Sequence, residues 1–143
     1  MKPQANTEPQ AWIIVANRPN MERCAKLGVF GLTRQELLSK VAIGDHIVAY
    51  ILREIVFSGI GKVTQEHYLD DIKLFEGGLY PERIGIELKL LPAAKSLNVW
   101  DVIGDLAFAS NKIKWPASLA GGIRRIPLAD FELIAKRLNH VKS

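Results

Sequence analysis

The sequence predicts an α+β fold: a small, curled, mixed sheet of about five to six strands, mostly antiparallel, flanked by helices. Three observations carry this. Short β-branched runs bounded by turn residues recur along the chain. Consecutive runs are joined by short links, which favours a sheet curling into a small barrel with helices at its rim. No strand–helix–strand series is long enough for a doubly wound sheet.

The elements follow in order. Residues 11–16, AWIIVA, are short and dominated by Ile and Val, as a buried strand requires. Residues 20–27 make about two helical turns, with Asn20 as N-cap and Gly28 as C-terminal stop. Thr33 and Glu36 form a capping-box pattern that starts a second helix over 33–40. Residues 46–52 and 55–64 are strands; Gly59 and Gly61 in the second point to a bulge or a close approach. Residues 65–81 read mostly as a long polar loop. In 82–91, Ile84, Ile86, Leu88 and Leu90 face one way and Arg83, Glu87 and Lys89 the other, so this strand is half buried and ends at Pro92. Helices are expected over 98–104 and 128–139, with the short strand GIRRIP before the last.

At 143 residues the chain fits one domain over 11–143, preceded by a frayed polar tail over 1–10. No apolar run approaches the roughly 20 residues of a membrane span, and with no export signal the cytoplasm is the expected compartment. The single cysteine, Cys24, excludes an internal disulfide. The formal net charge is +4, and the acid-free stretch between Asp105 and Asp130 alone carries as much, from Lys112, Lys114, Arg124 and Arg125 around Trp115. Cations with a ring among them suit a nucleic-acid groove; a solvated basic loop with Trp115 folded into the core is the plainer alternative.

Signals of catalysis are weak. His46, His67 and His140 are far apart with no Cys partner, so no metal and no cofactor is expected. Neither a Walker loop, a GxGxxG nor a GxSxG elbow occurs. Cys24 reads as a small buried thiol and Asp70–Asp71 as a solvated turn. Two local features ask for more than a connector. Asn17 and Asn20 directly follow a buried strand, and Phe30 stands between Val29 and Gly31. Tyr68, Phe75 and Tyr80 punctuate the long loop, where they either plug it onto the core or offer rings to a ligand.

The motifs WIIVANRPN, GVFGLT, IGDHIVAYI, FSGIGKV, YPERIGIEL and NKIKWPASLAGGIRRIP, in this order over roughly residues 11–138, resemble the EVE domain family, and most of all its compact prokaryotic branch. The resemblance implies a PUA-like fold. The related YTH domains share the opening stretch: a strand ending in Ser-Asn, a further Asn, a helix, then Gly-Val-Trp-Ser. Ala16-Asn17, Asn20 and Gly28-Val29-Phe30-Gly31 look like the counterparts, with Phe30 in place of Trp and Gly31 in place of Ser. In YTH domains that aromatic is one wall of a cage around a methylated adenine. By resemblance, then, Phe30 with Gly31 forms one wall, Asn17 and Asn20 read the base edge, and Tyr80, or else Phe75, supplies the second wall. Arg18, Lys112, Lys114, Trp115, Arg124 and Arg125 would hold the nucleic-acid backbone. The expected function is non-catalytic binding of RNA or DNA carrying a modified base, with no membrane or metal partner. The alternatives are an enzyme acting on a nucleotide or small polar ligand, and a protein-interaction module.

Overall fold

A computed structural model describes residues 8–33, 38–110 and 114–142. The described residues form seven strands and two α-helices: β1 (Ala11–Ala16), α1 (Arg18–Leu27), β2 (Val29–Leu32), β3 (His46–Ile51), β4 (Val56–Leu69), β5 (Glu82–Leu90), β6 (Leu97–Asn98), β7 (Ile123–Ile126) and α2 (Leu128–Lys142). The sheet order is β2-β5-β4-β3-β1-β7, with the short β6 paired to the start of β4. The pair β1–β3 is parallel and the others are antiparallel. This is the mixed, curled half-barrel of the α+β class that the sequence predicts.

Both faces of the sheet are buried. Trp12 and Ile14 pack with Met21 and Cys24 of α1, Phe30 of β2 and Phe75. Ile13 and Val15 face the other way, toward Trp115 and the Phe131, Ile134 and Leu138 stripe of α2. β1 is therefore apolar along its length rather than alternating. A Cβ on Gly59 or Gly61 would collide with the Lys89 or Glu87 carbonyl of β5, so the expected close approach is that of the neighbouring strand.

Several expectations are corrected. The chain forms an extra strand, β2, at Val29–Leu32, which the sequence pattern leaves outside any element. Helix α1 starts two residues early: Asn17, not Asn20, is the N-cap, accepting the Asn20 N–H through its side chain. Pro19 in the first turn explains the shift, since a missing N–H costs nothing there. The expected stop at Gly28 is met, at φ 73°. β4 runs on to Leu69, which shortens the long loop to 70–81. The stretch after Pro92 forms short 3₁₀ turns at Val99–Asp101, Ile103–Asp105 and Ala107–Ala109. Its backbone N–H groups bond three residues back, Val102 to Val99, Asp105 to Val102, Leu106 to Ile103 and Ala109 to Leu106, which is 3₁₀ and not α-helical geometry. The capping box at Glu36 falls in 34–37, outside the described residues; Leu38–Lys40 is a 3₁₀ turn. Of the expected tail, 1–7 lie outside the described residues; at its end the Gln10 N–H donates to Asp45 Oδ1 at 3.0 Å.

Candidate functional site

The half-barrel leaves a seam between its edge strands β2 and β7. At the seam the Leu32 side chain meets Gly122, at a point where a Cβ on Gly122 would clash. Beside this contact lies a cavity of about 310 Å³, at the carboxyl ends of the parallel strands β1 and β3. Val15, Ala16 and Asn17 form its base. Phe30, Gly31, Leu32 and Thr33 line one side, and Leu119 to Gly122 the other. Leu52, Cys24, Asn20, Phe75 and Tyr80 complete it. All five residues expected at a base pocket thus border one cavity, and Tyr80 and Phe75 both do.

Their individual roles are set by local bonds. Asn17 spends Oδ1 on the helix cap, 2.9 Å from the Asn20 N–H, so Nδ2 is the end of its amide that the cap does not use. Asn20 is buried and grips the Glu76 backbone at both ends: Nδ2 donates to the carbonyl and Oδ1 accepts the N–H, each at 2.9 Å. This amide holds loop 70–81 rather than facing a ligand. Phe30 is only 2% exposed, so it forms a floor continuous with the core and not an open wall. Gly31 is required sterically. A Cβ there would lie 2.8 Å from the Tyr80 carbonyl and 3.2 Å from Phe75 Cε2.

Arg83, expected on a solvated face, is fully buried under loop 70–81. Its Nε donates to the Tyr80 carbonyl at 3.0 Å and its Nη2 to those of Leu79, at 3.1 Å, and Ile72. Nη1 pairs with Asp70 at 3.5 Å, and the guanidinium lies 5.9 Å from the Phe75 ring. Arg83 and Asn20 together latch the loop that carries Phe75 and Tyr80. The only early hint was a charged residue on a strand next to a long loop.

The expected backbone contacts disperse. Arg18 is spent inside the protein, on Glu54 at 2.6 and 3.1 Å, Ser58 Oγ at 3.0 Å and the Leu91 carbonyl at 2.9 Å. Its guanidinium pulls the Glu54 carboxyl below the ordinary carboxylate range. Trp115 is buried against Tyr50 and Trp100. Arg124 and Arg125 are consecutive on β7 and so leave opposite faces of the sheet: Arg124 lies 5.0 Å over the Phe108 ring and Arg125 bonds Gln10. Lys114 is exposed. Lys112 lies outside the described residues. A cation outside the expected set, exposed Arg53, follows the lining residue Leu52 in sequence without itself lining the cavity.

Chemically, the described lining holds no carboxylate, imidazole, ammonium or guanidinium. Burial pushes the Cys24 thiol up to about 12, so at neutral pH it is protonated and a poor nucleophile. Among the described residues no group of three or more His, Cys, Asp or Glu gathers to hold a metal, and no helix is long and apolar enough to cross a membrane. Aromatic faces and one amide suit a flat, neutral ligand with a polar edge.

No family model and no curated protein matches this sequence. Solved structures do resemble it in fold. A protein from Agrobacterium tumefaciens superposes with a TM-score of 0.64 at 14% identity, over 90% of this chain and 92% of that one. The YTH domain of Mmi1 gives 0.64 at 8% identity, over 92% and 96%. A complex of the YTH domain-containing protein Mmi1 with RNA gives 0.61 at 11% identity, over 93% and 83%. At these identities the likeness is one of architecture, and the architecture is YTH-like.

Proposed function

We propose that this chain is a non-catalytic nucleic-acid-binding domain of the EVE branch, which takes one unpaired or flipped, modified base of RNA or DNA into the cavity at the β2–β7 seam. The observation that carries the reading is the lining: Phe30, Phe75 and Tyr80 with the Asn17 amide, in a space of about 310 Å³. That volume stands at the low end of ligand pockets, the scale of a single base. The Mmi1 structure with RNA supports nucleic acid as the ligand class for this architecture. In this reading Tyr80, the half-buried ring, stacks on the base over a floor of the buried Phe30 and Phe75, and Asn17 Nδ2 donates to an acceptor on its edge. Asn20 positions the wall. Arg53, next to the lining residue Leu52, and Lys114, at the start of the 3₁₀ turn whose far end lines the cavity, meet the phosphates.

The test is a calorimetric titration with short single-stranded RNA and DNA oligomers, each carrying one plain or modified base. Asn17→Ser keeps a capping oxygen and removes the amide. Tyr80→Asn removes the ring and keeps a residue that tolerates the left-handed backbone at φ 50°. One base is expected to bind better than the others, and both variants to lose that preference. Equal binding of all oligomers, or unchanged preference in both variants, would refute the reading.

A further inference from the structure

The chain has three tryptophans. Trp12 and Trp115 are buried, whereas Trp100 is 57% exposed. The aromatic expected at the surface within the basic stretch lies in the core, and the ring that meets it edge-on, at 5.7 Å and 73°, is the one facing solvent. Single exposed apolar residues are ordinary. Trp100 differs in its rigidity and its place.

Its backbone N–H is bonded by Asn98 Oδ1 at 2.9 Å, and Trp115 braces its ring, so little conformational freedom remains to be lost on binding. Two tethers bring it to the cavity. The Val99 N–H donates to the Ile55 carbonyl at 3.1 Å, in the turn that begins with the lining residue Leu52. Trp115 opens the 3₁₀ turn Trp115–Leu119, whose far end lines the opposite wall. At about 2 Å per residue that turn spans only about 8 Å. Local charge is mixed but favours an anion. Arg53, Lys114 and Arg137 outnumber Asp101 and Asp105, and Arg137 already pairs with Asp105 at 2.9 Å.

We propose that Trp100 is a second stacking platform. It takes an unpaired base of the same strand whose neighbour, a few nucleotides away, occupies the cavity. This rests on the cavity reading above, and the experiment separates the two. Wild type, Trp100→Ala and Tyr80→Asn are titrated with single nucleosides and with single-stranded oligomers of about eight nucleotides. Iodide quenching of tryptophan emission reports on Trp100, because the other two indoles are buried. Trp100→Ala is expected to weaken oligomer binding by about 5- to 150-fold, the range of one base–aromatic stack, with nucleoside affinity and Tm unchanged. Bound oligomer should shield Trp100 from iodide. Unchanged oligomer affinity in Trp100→Ala, or unshielded emission in the complex, overturns the platform and leaves the cavity reading intact. Loss in Trp100→Ala with none in Tyr80→Asn leaves Trp100 as a stacking ring but overturns its role as the second platform beside an occupied cavity. If no oligomer binds wild type, both fall.

Discussion

Replacing Arg83 with methionine keeps most of the apolar stem and deletes the guanidinium. Three loop carbonyls, those of Ile72, Leu79 and Tyr80, then lose their donor, and Asp70 loses its ion partner. Hydrogen bonds from a charged donor are worth about 1.5–3 kcal/mol each, so the gross loss is about 4.5–9 kcal/mol. Against that stands the relief of no longer burying a charge that is 0% exposed. Removing one partner of such a buried network typically leaves a net loss of about 3–5 kcal/mol. The orphaned carbonyls sit in a loop that can swing out to water, so the loss should appear as local opening of 70–81 rather than global unfolding. Amide hydrogen exchange separates the two. The Glu76 N–H, held by Asn20 Oδ1, reports the loop, and the Ile86 N–H, bonded to the Gly28 carbonyl, reports the sheet. In Arg83→Met the Glu76 amide should exchange at least about 100-fold faster with Ile86 little changed. If Glu76 keeps its protection, or Ile86 loses as much, Arg83 is not a latch for this loop.

The remaining stability predictions follow from single contacts. Gly31→Ala drives a Cβ into the Tyr80 carbonyl and the Phe75 ring and should cost about 1–3 kcal/mol in chemical denaturation, with ligand affinity falling in step. Asn17→Ala should cost about 1 kcal/mol by uncapping α1, and Asn17→Ser much less; equal losses would mean the cap is idle. The folded state raises the Cys24 thiol from 9.0 to about 12, so it keeps a proton that the unfolded chain gives up. Its contribution is therefore complete below pH 9 and declines as pH climbs, with a slope approaching about 1.4 kcal/mol per pH unit. Denaturation at rising pH should show a steeper decline for wild type than for Cys24→Ala, which has no thiol to titrate; parallel profiles would refute this.

What was legible in the sequence depended on how local its cause was. β1 and β5 announce themselves by β-branched runs and alternation, and Gly28 marks the end of α1 by itself. β2 is four residues long with a glycine inside, too short for any period to register. The tail of β4 is polar and shifts register between Val63 and Gln65 and again before Tyr68, which breaks the two-residue repeat. Alternation tells which face the Arg83 side chain leaves, not whether a distant segment covers that face. Pro19 pointed to a helix starting before Asn20, and adjacent Arg124 and Arg125 on one strand could never share a patch. The cavity residues drew notice because Asn17, Phe30 and Gly31 fit poorly as mere connectors. That Asn20 is committed to loop 70–81 rests on hydrogen bonds to Glu76, 56 positions away.

Backbone strain gives an independent view of the same place. Among the described residues the non-glycine positions with positive φ are Arg53, Ile55 and Tyr80, at 72°, 56° and 50°. Tyr80 lines the cavity, and the other two lie in the turn that follows Leu52. Such positions cost about 1–3 kcal/mol each and persist where surrounding contacts hold them. Here an arginine holds each one: Arg83 grips the Tyr80 carbonyl, and Arg18 ties the 52–55 turn through Glu54. Two cations that a charge count would assign to phosphate thus serve as internal clamps, and the strained turn presents Arg53 outward. Arg53→Asn puts stability and binding in opposition. Asparagine tolerates the left-handed region, so stability should rise by up to about 1 kcal/mol. If Arg53 meets a phosphate, oligomer affinity should fall and its dependence on log salt should flatten by about 0.7. A gain in stability with an unchanged salt slope would take Arg53 out of the interface and leave the strain as a feature of the turn alone.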